Sequence, residues 1–151
     1  MPGDALASML TLMSSRGESV TVLTYTTYLT YAVNNITARG ASVILSSPTP
    51  TNPDASGAFS YTPDVYTTYA RNVAQSTGQL FVDHGQYTAN LLQTLPASTV
   101  DSYFPNQSIH TSPNGAKAVA QAFVRGLVCG PGGGLQLIVN QTEASIPGVC
   151  M

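Results

Sequence analysis

The sequence predicts an α/β domain on a parallel sheet, and three observations carry that prediction. Stretches with helical apolar spacing alternate with short apolar runs, Gly and Pro bound those runs, and the order is helix, strand, helix, strand, helix. At 151 residues the chain is long enough for one domain with a real core and too short to argue for two.

Residues 1–18 read as an irregular N-terminal segment. Asp4 precedes the apolar stretch Ala5 to Met13 and no positive charge stands before it, so no signal peptide is visible there. Ser19 to Leu23 is either a short strand or the lead-in to a helix. From Tyr25 to Ala38, the apolar positions Tyr25, Leu29, Val33 and Ile36 recur at helical spacing, and Gly40 is the stop. Ser42-Val43-Ile44-Leu45-Ser46-Ser47 then reads as a strand covered on both faces.

Pro48 to Pro63 holds four prolines with Asn52, Asp54 and Gly57. It is therefore expected to be a long loop at the carboxyl end of that strand, the edge where open α/β sheets carry their ligand sites. Thr62 can cap a helix that starts at Pro63, lined by Val65, Tyr69 and Val73 and ended by Gly78. Leu80-Phe81-Val82 is the second strand. A shorter helix follows from Gln86 to about Thr94, and Pro96 to Tyr103 reads as a further short helix.

The last helix carries the strongest signals. Ser112 is its cap, Pro113 its first residue, and Ala116, Val119, Ala120, Phe123, Val124 and Leu127 form its apolar stripe, before Gly130-Pro131-Gly132-Gly133-Gly134 breaks it. Only two convincing strands are present, fewer than a parallel sheet ordinarily has.

Charged residues are 8% of the chain and the formal net charge is -2. No basic face can neutralise a phosphate backbone, so nucleic acid is not an expected partner. No apolar run approaches the roughly 20 residues that span a bilayer, so no membrane partner is expected either. Cys129 and Cys150, the only cysteines, suggest one bridge closing a loop of about 20 residues, worth roughly 3 kcal/mol if unstrained; the alternative is two unpaired thiols. Asn35, Asn106 and Asn140 open Asn-x-Ser/Thr acceptors.

Among residues that could carry chemistry, His110 stands out in Tyr103-Phe104-Pro105-Asn106-Gln107-Ser108-Ile109-His110-Thr111-Ser112-Pro113, a loop entering a helix. An imidazole there could deprotonate a serine hydroxyl, given a carboxylate on its other nitrogen to hold the tautomer and stabilise the imidazolium. The plainer alternative is a loop histidine satisfying backbone groups at the start of the last helix. His84 reads as structural, Asp83, Asp54 and Asp64 as turn and cap residues, and the tyrosines within helices as core packing rather than sugar-stacking platforms. No spacing pairs two carboxylates for acid and base work, and no constellation suits a metal.

From about Gly17 to Cys150 the chain resembles the C-terminal portion of rhamnogalacturonan acetylesterases, within the SGNH (GDSL-type) hydrolase superfamily. The matching runs are Thr37-Ala38-Arg39-Gly40-Ala41-Ser42-Val43-Ile44-Leu45-Ser46-Ser47, Phe81-Val82-Asp83-His84, Tyr103-Phe104-Pro105, His110-Thr111-Ser112-Pro113, Gly115-Ala116, and Cys129 with Cys150. The resemblance implies a flavodoxin-like three-layer α/β/α sandwich, here N-terminally truncated with few parallel strands. Residues 19–151 would be a partial SGNH hydrolase domain with a disulfide-closed tail.

It also implies a secreted serine carbohydrate O-acetylesterase that uses no cofactor and no metal, acting on acetylated plant cell-wall polysaccharide. Of the family's catalytic residues only His110 carries over. Gln107 stands at the triad aspartate position, and a neutral amide cannot stabilise imidazolium as a carboxylate does; in a serine protease the comparable Asp-to-Asn change lowers turnover by about 10⁴. Asp101 is a possible spatial substitute. The Gly-Asp-Ser nucleophile has no counterpart: Gly3-Asp4-Ala5-Leu6 offers no hydroxyl, and Ser8, Ser14 and Ser15 lack the strand-to-helix turn that exposes a nucleophile. The expectation is a chain inactive by itself, or a glycan-binding pseudoenzyme or truncated product.

Overall fold

The computed structural model describes residues 20–106, 108–130 and 150. Helix α1 spans Val20–Thr37, strand β1 Ile44–Ser46, α2 Val65–Thr77, β2 Leu80–Val82, α3 His84–Gln93, α4 Ala97–Tyr103 and α5 Pro113–Cys129. The fold is α/β, and β1 and β2 pair in parallel with Leu45 opposite Phe81. Residues from Val20 onward are helical, which settles the choice between strand and lead-in for that stretch.

Side chains alternate across a strand, so Leu45 and Phe81 share one face while Ile44 and Val82 point to the other. The first face packs on α1 and α2: Leu45 joins Val33, Val73 and Ala74 in one cluster, with Leu29, Val43 and Phe81 against it. On the opposite face, α5 reaches Val82 through a glycine. A Cβ on Gly126 would stand 2.6 Å from Val82 Cγ1 and 2.9 Å from Tyr87 Cδ2, so only the missing side chain allows that approach.

Coverage of β1 is one-sided, contrary to the expected strand buried on both faces. Leu45 is buried, but Ile44 is 38% exposed and Ser46 is exposed. Ile36 also stands outside the core, at 44% exposure, because α1 turns Val33 rather than Ile36 toward the sheet. Tyr28, Tyr31 and Tyr66 are exposed as well, whereas Tyr25 and Tyr69 are half-buried and meet the Tyr66 ring at the α1–α2 seam, with centroids 5.0 to 6.1 Å apart. The expected inward packing of the helical tyrosines thus holds for part of the set.

Two helix starts and two buried faces differ from expectation. Helix α2 begins after Asp64, not Thr62: Asp64 is in extended conformation and its side chain accepts from Thr67 N at 2.9 Å, the geometry of an N-cap. Val65 is consequently exposed, and the buried face is Thr67, Ala70, Val73 and Ala74. Helix α3 starts at His84, two residues before the expected Gln86, because Asp83 accepts from Gln86 N. On α5 the cap is Ser112 with Pro113 following, as expected, but the buried residues are Gly115, Ala118, Ala122, Arg125, Gly126 and Val128; Ala116 and Ala120 are exposed.

Gly78 ends α2 in left-handed conformation, φ 67°, with its N–H on Ala74 O and Gln75 O, as a glycine at that position does best. Leu92, Val100 and Phe104 form the second half of the core, at the α3–α4 corner. Tyr87, Leu91, Ala118 and Ala122 join α3 to α5. The expected Cys129–Cys150 bridge is present, with Cα atoms 5.2 Å apart.

Candidate functional site

His110 lies in the segment between α4 and α5, and its side chain is exposed. Both ends of that segment are pinned. At its close, Ser112 N donates to Tyr103 O at 2.7 Å, and a Cβ on Gly115 would stand 2.8 Å from Tyr103 Cβ and O, so α5 starts hard against the end of α4. In the middle, Asn52 N donates to Ser108 O at 2.6 Å, two residues before His110.

Asn52 makes three bonds that organise this corner. Besides the bond to Ser108, its Nδ2 donates to Asp101 Oδ1 at 3.0 Å and its Oδ1 accepts from Asp54 N at 2.9 Å. The loop after β1 is thereby fastened to α4 and to the His110 segment, and Phe59 from the same loop packs against Leu92, Val100 and Phe104. Ser60 N on Pro53 O and Gly57 N on Asp54 O, both at 2.8 Å, close the loop on itself. Asp101, weighed as a spatial substitute for the triad carboxylate, gives one oxygen to this anchor. Gln107, Ser8, Ser14, Ser15, the Gly3-Asp4-Ala5-Leu6 stretch and Asn140 lie outside the described residues.

A second polar group sits at the carboxyl ends of the two strands. Ser47 is buried at 2% exposure; its hydroxyl donates to Asp83 Oδ1 at 2.9 Å and accepts from Gly85 N at 2.8 Å. Arg71 Nη2 meets Asp83 Oδ2 at 2.5 Å, and the guanidinium lies over the Phe81 ring, 4.5 Å from its centroid. Every one of these contacts ties β1, β2, α2 and α3 together, so Asp83 acts as a cap and brace. Ser47 has no imidazole on its oxygen and is committed to that brace. A Cβ on Gly85 would collide with Tyr61 Oη and Pro48 O, which brings the β1–α2 loop down onto the start of α3.

His84 is tied into this framework. Its Nε2 pairs with Val119 O at 2.9 Å and its ring meets Phe123 edge-on at 5.2 Å. Burial lowers its pKa from the ordinary histidine value, opposed by the bond to the Val119 carbonyl. Among the described residues no three His, Cys, Asp or Glu side chains converge as metal ligands, and no helix is long and apolar enough to cross a membrane.

The β1–α2 loop also walls a polar cleft of about 160 Å³, lined by Pro48, Thr49, Thr51, Ser60, Tyr61 and Asp64 among others. Burial, together with the Asp83 and Asp64 carboxylates, pushes the Tyr61 phenol up to about 12. The sequence predicts a ligand-bearing loop here but distinguishes neither Asn52 from its neighbours nor this cleft. The Asn52-Pro53 pair is a turn signal; nothing local marks Asn52 as an anchor for a segment some fifty residues away.

No protein-family profile matches the chain. A rhamnogalacturonan acetylesterase of Emericella nidulans is 40% identical over 150 residues, covering 99% of this chain and 59% of the relative. The chain therefore spans less than two thirds of the length of that curated relative. The resemblance carried by the His110-Thr111-Ser112-Pro113 and Phe81-Val82-Asp83-His84 runs accordingly extends over nearly the whole sequence. A crystal structure of the YXIM protein of Bacillus subtilis superposes with TM-score 0.60 at 21% identity, over 68% of this chain and 30% of that one, a likeness of fold.

Proposed function

We infer that this chain belongs to the rhamnogalacturonan acetylesterase lineage of SGNH hydrolases, and that it represents the C-terminal part of such an enzyme. The observation that carries the reading is the 40% identity across 150 residues. The α/β fold with its parallel strands is consistent with it. In this reading residues 19–151 form a partial hydrolase domain within a three-layer sandwich and residues 1–18 an irregular lead-in.

His110 is the general base of the proposed reaction. Its ring nitrogen takes the proton from a serine hydroxyl as that oxygen bonds to the acetyl carbon of a sugar ester. The imidazolium then returns the proton to the departing sugar oxygen, and water repeats the sequence to release acetate from the acyl-enzyme. The anchoring of its loop through Asn52 and Tyr103 suits this role, since a base must be held in place before it is useful. The polysaccharide substrate would be an acetylated plant cell-wall polymer met outside the cell, a setting that also suits the Cys129–Cys150 bridge.

The serine of that scheme has no assignable counterpart in the chain, and Gln107 occupies the position of the orienting aspartate. The chain alone is therefore proposed to be inactive. The polar cleft beside the Asn52 anchor favours a second reading, a glycan-binding protein without turnover.

An aryl acetate assay with a serine-directed fluorophosphonate label, on the full chain and on His110→Ala, separates the possibilities. The expected result is no labelling above background and no hydrolysis that depends on His110. Labelling together with hydrolysis lost in His110→Ala would show a working triad and defeat the proposed inactivity.

A further inference from the structure

We propose that the cleft under the β1–α2 loop is a subsite for one uncharged sugar residue, and that Asp64 selects against uronic acids there. The proposal adds a subsite to the carbohydrate reading above and rests on it only for the kind of chain to which the sugar belongs.

The walls define the ligand by elimination and by complement. Thr49, Thr51, Ser60 and Tyr61 supply hydroxyls that both donate and accept, and Asp64 supplies a carboxylate that only accepts. Among the described residues no cationic side chain lines the cleft, so none of these walls neutralises an anionic ligand. At about 160 Å³ the cleft is well below the several hundred Å³ of a drug-sized pocket, a scale that suits one ring rather than an oligosaccharide. Pro48, exposed, lines the same cleft and gives a pyranose a rigid apolar edge for its C–H groups. A small ligand rich in hydroxyls and free of negative charge satisfies all of these walls.

Asp64 is held rigidly enough to discriminate. Its Oδ1 accepts from Thr67 N at 2.9 Å and from Thr67 Oγ1 at 3.2 Å, and Thr67 is buried. The cap thus fixes the carboxylate of a residue that lines the cleft. Burial, with the Asp83 and Asp64 carboxylates, raises the Tyr61 pKa, so its phenol stays a donor. The cleft is also preformed: its wall runs from Thr51 directly into Asn52, whose N–H holds Ser108 O, so a bound sugar and the His110 segment share one rigid support.

The test is a titration of the ¹⁵N-labelled full chain with methyl rhamnoside and, separately, methyl galacturonoside, read from amide shifts at Thr49, Thr51 and Ser60. The neutral glycoside should give saturable shifts and the uronate should bind about tenfold more weakly. Asp64→Asn keeps a capping side chain and should narrow that gap to within about threefold. Thr51→Val, remote from the cap, should weaken neutral binding while Asp64 still excludes the uronate.

Absence of saturable shifts with the neutral glycoside, equal binding of the two sugars by the unmodified chain, or a gap unchanged in Asp64→Asn would each overturn the proposal. Sugar binding with no ester hydrolysis leaves the subsite standing and counts for the second reading. Hydrolysis dependent on His110 with no sugar shifts does the reverse.

Discussion

The corner that carries His110 and the sheet that supports it differ in how far each buries its own apolar residues. At the α3–α4 corner Leu92 and Val100 are at most 1% exposed and Phe104 closes the cluster. At the sheet, Leu45 is buried, yet its neighbour Ile44 is 38% exposed and Tyr31 of α1 is 67% exposed. The corner is a finished piece of core, whereas β1 presents one apolar face that nothing among the described residues fully covers. A candidate site built on the finished corner can be preorganised even where the sheet beneath it is short.

The largest expected effect comes from testing that contrast directly. Leu92→Ala should cost about 2–5 kcal/mol, because a fully enclosed side chain leaves a cavity that its neighbours fill only in part. Ile44→Ala should cost less, about 1–2 kcal/mol, since more than a third of its surface is already in water. Urea denaturation of both variants checks the pair; equal losses would mean that the face of β1 is covered in solution.

A smaller loss is expected at the seam between the two regions. Asn52→Ala removes the bond to Asp101 and the acceptor for Asp54 N but leaves the backbone bond to Ser108. The expected loss is about 1 kcal/mol, with faster amide exchange confined to residues 52–60 and 104–112. Exchange that quickens throughout the chain, or nowhere, would show that Asn52 is not the local fastener described above.

What the sequence disclosed, and what it hid, follows from the range of the interactions involved. Ser112 with Pro113, and Gly78 after α2, are local devices, and each stands where its residue type placed it. Thr62-Pro63 carried an equally good local signal for the start of α2, yet Asp64 wins because its carboxylate reaches Thr67 N. On α5 the apolar stripe was conspicuous, but Gly115, Ala118, Ala122 and Gly126 take the buried face. Small residues let Tyr103, Tyr87 and Val82 approach the helix backbone, and hydrophobic periodicity gives little weight to small residues. The one-sided cover of β1 and the Asn52 anchor depend on partners far along the chain, for which no local pattern exists; the Asp64 cleft is walled by residues 48–67, but its shape is set by how that loop folds rather than by residue type.

The smallest expected effect concerns His84, at the join of α3 and α5. Burial lowers its pKa below the ordinary 6.5, so the folded chain holds the ring neutral at a pH where the unfolded chain would already protonate it. Its contribution to stability is therefore complete above about 6.5 and is lost as the pH falls through the lower folded value. His84→Gln keeps a polar side chain facing Val119 and removes the titration. Melting temperatures at about pH 7.5 and about pH 5 should fall further for the unmodified chain than for the variant, by a degree or two. Parallel falls in the two proteins would place the acid sensitivity elsewhere, and with it the claim that the α3–α5 junction shields this ring from water.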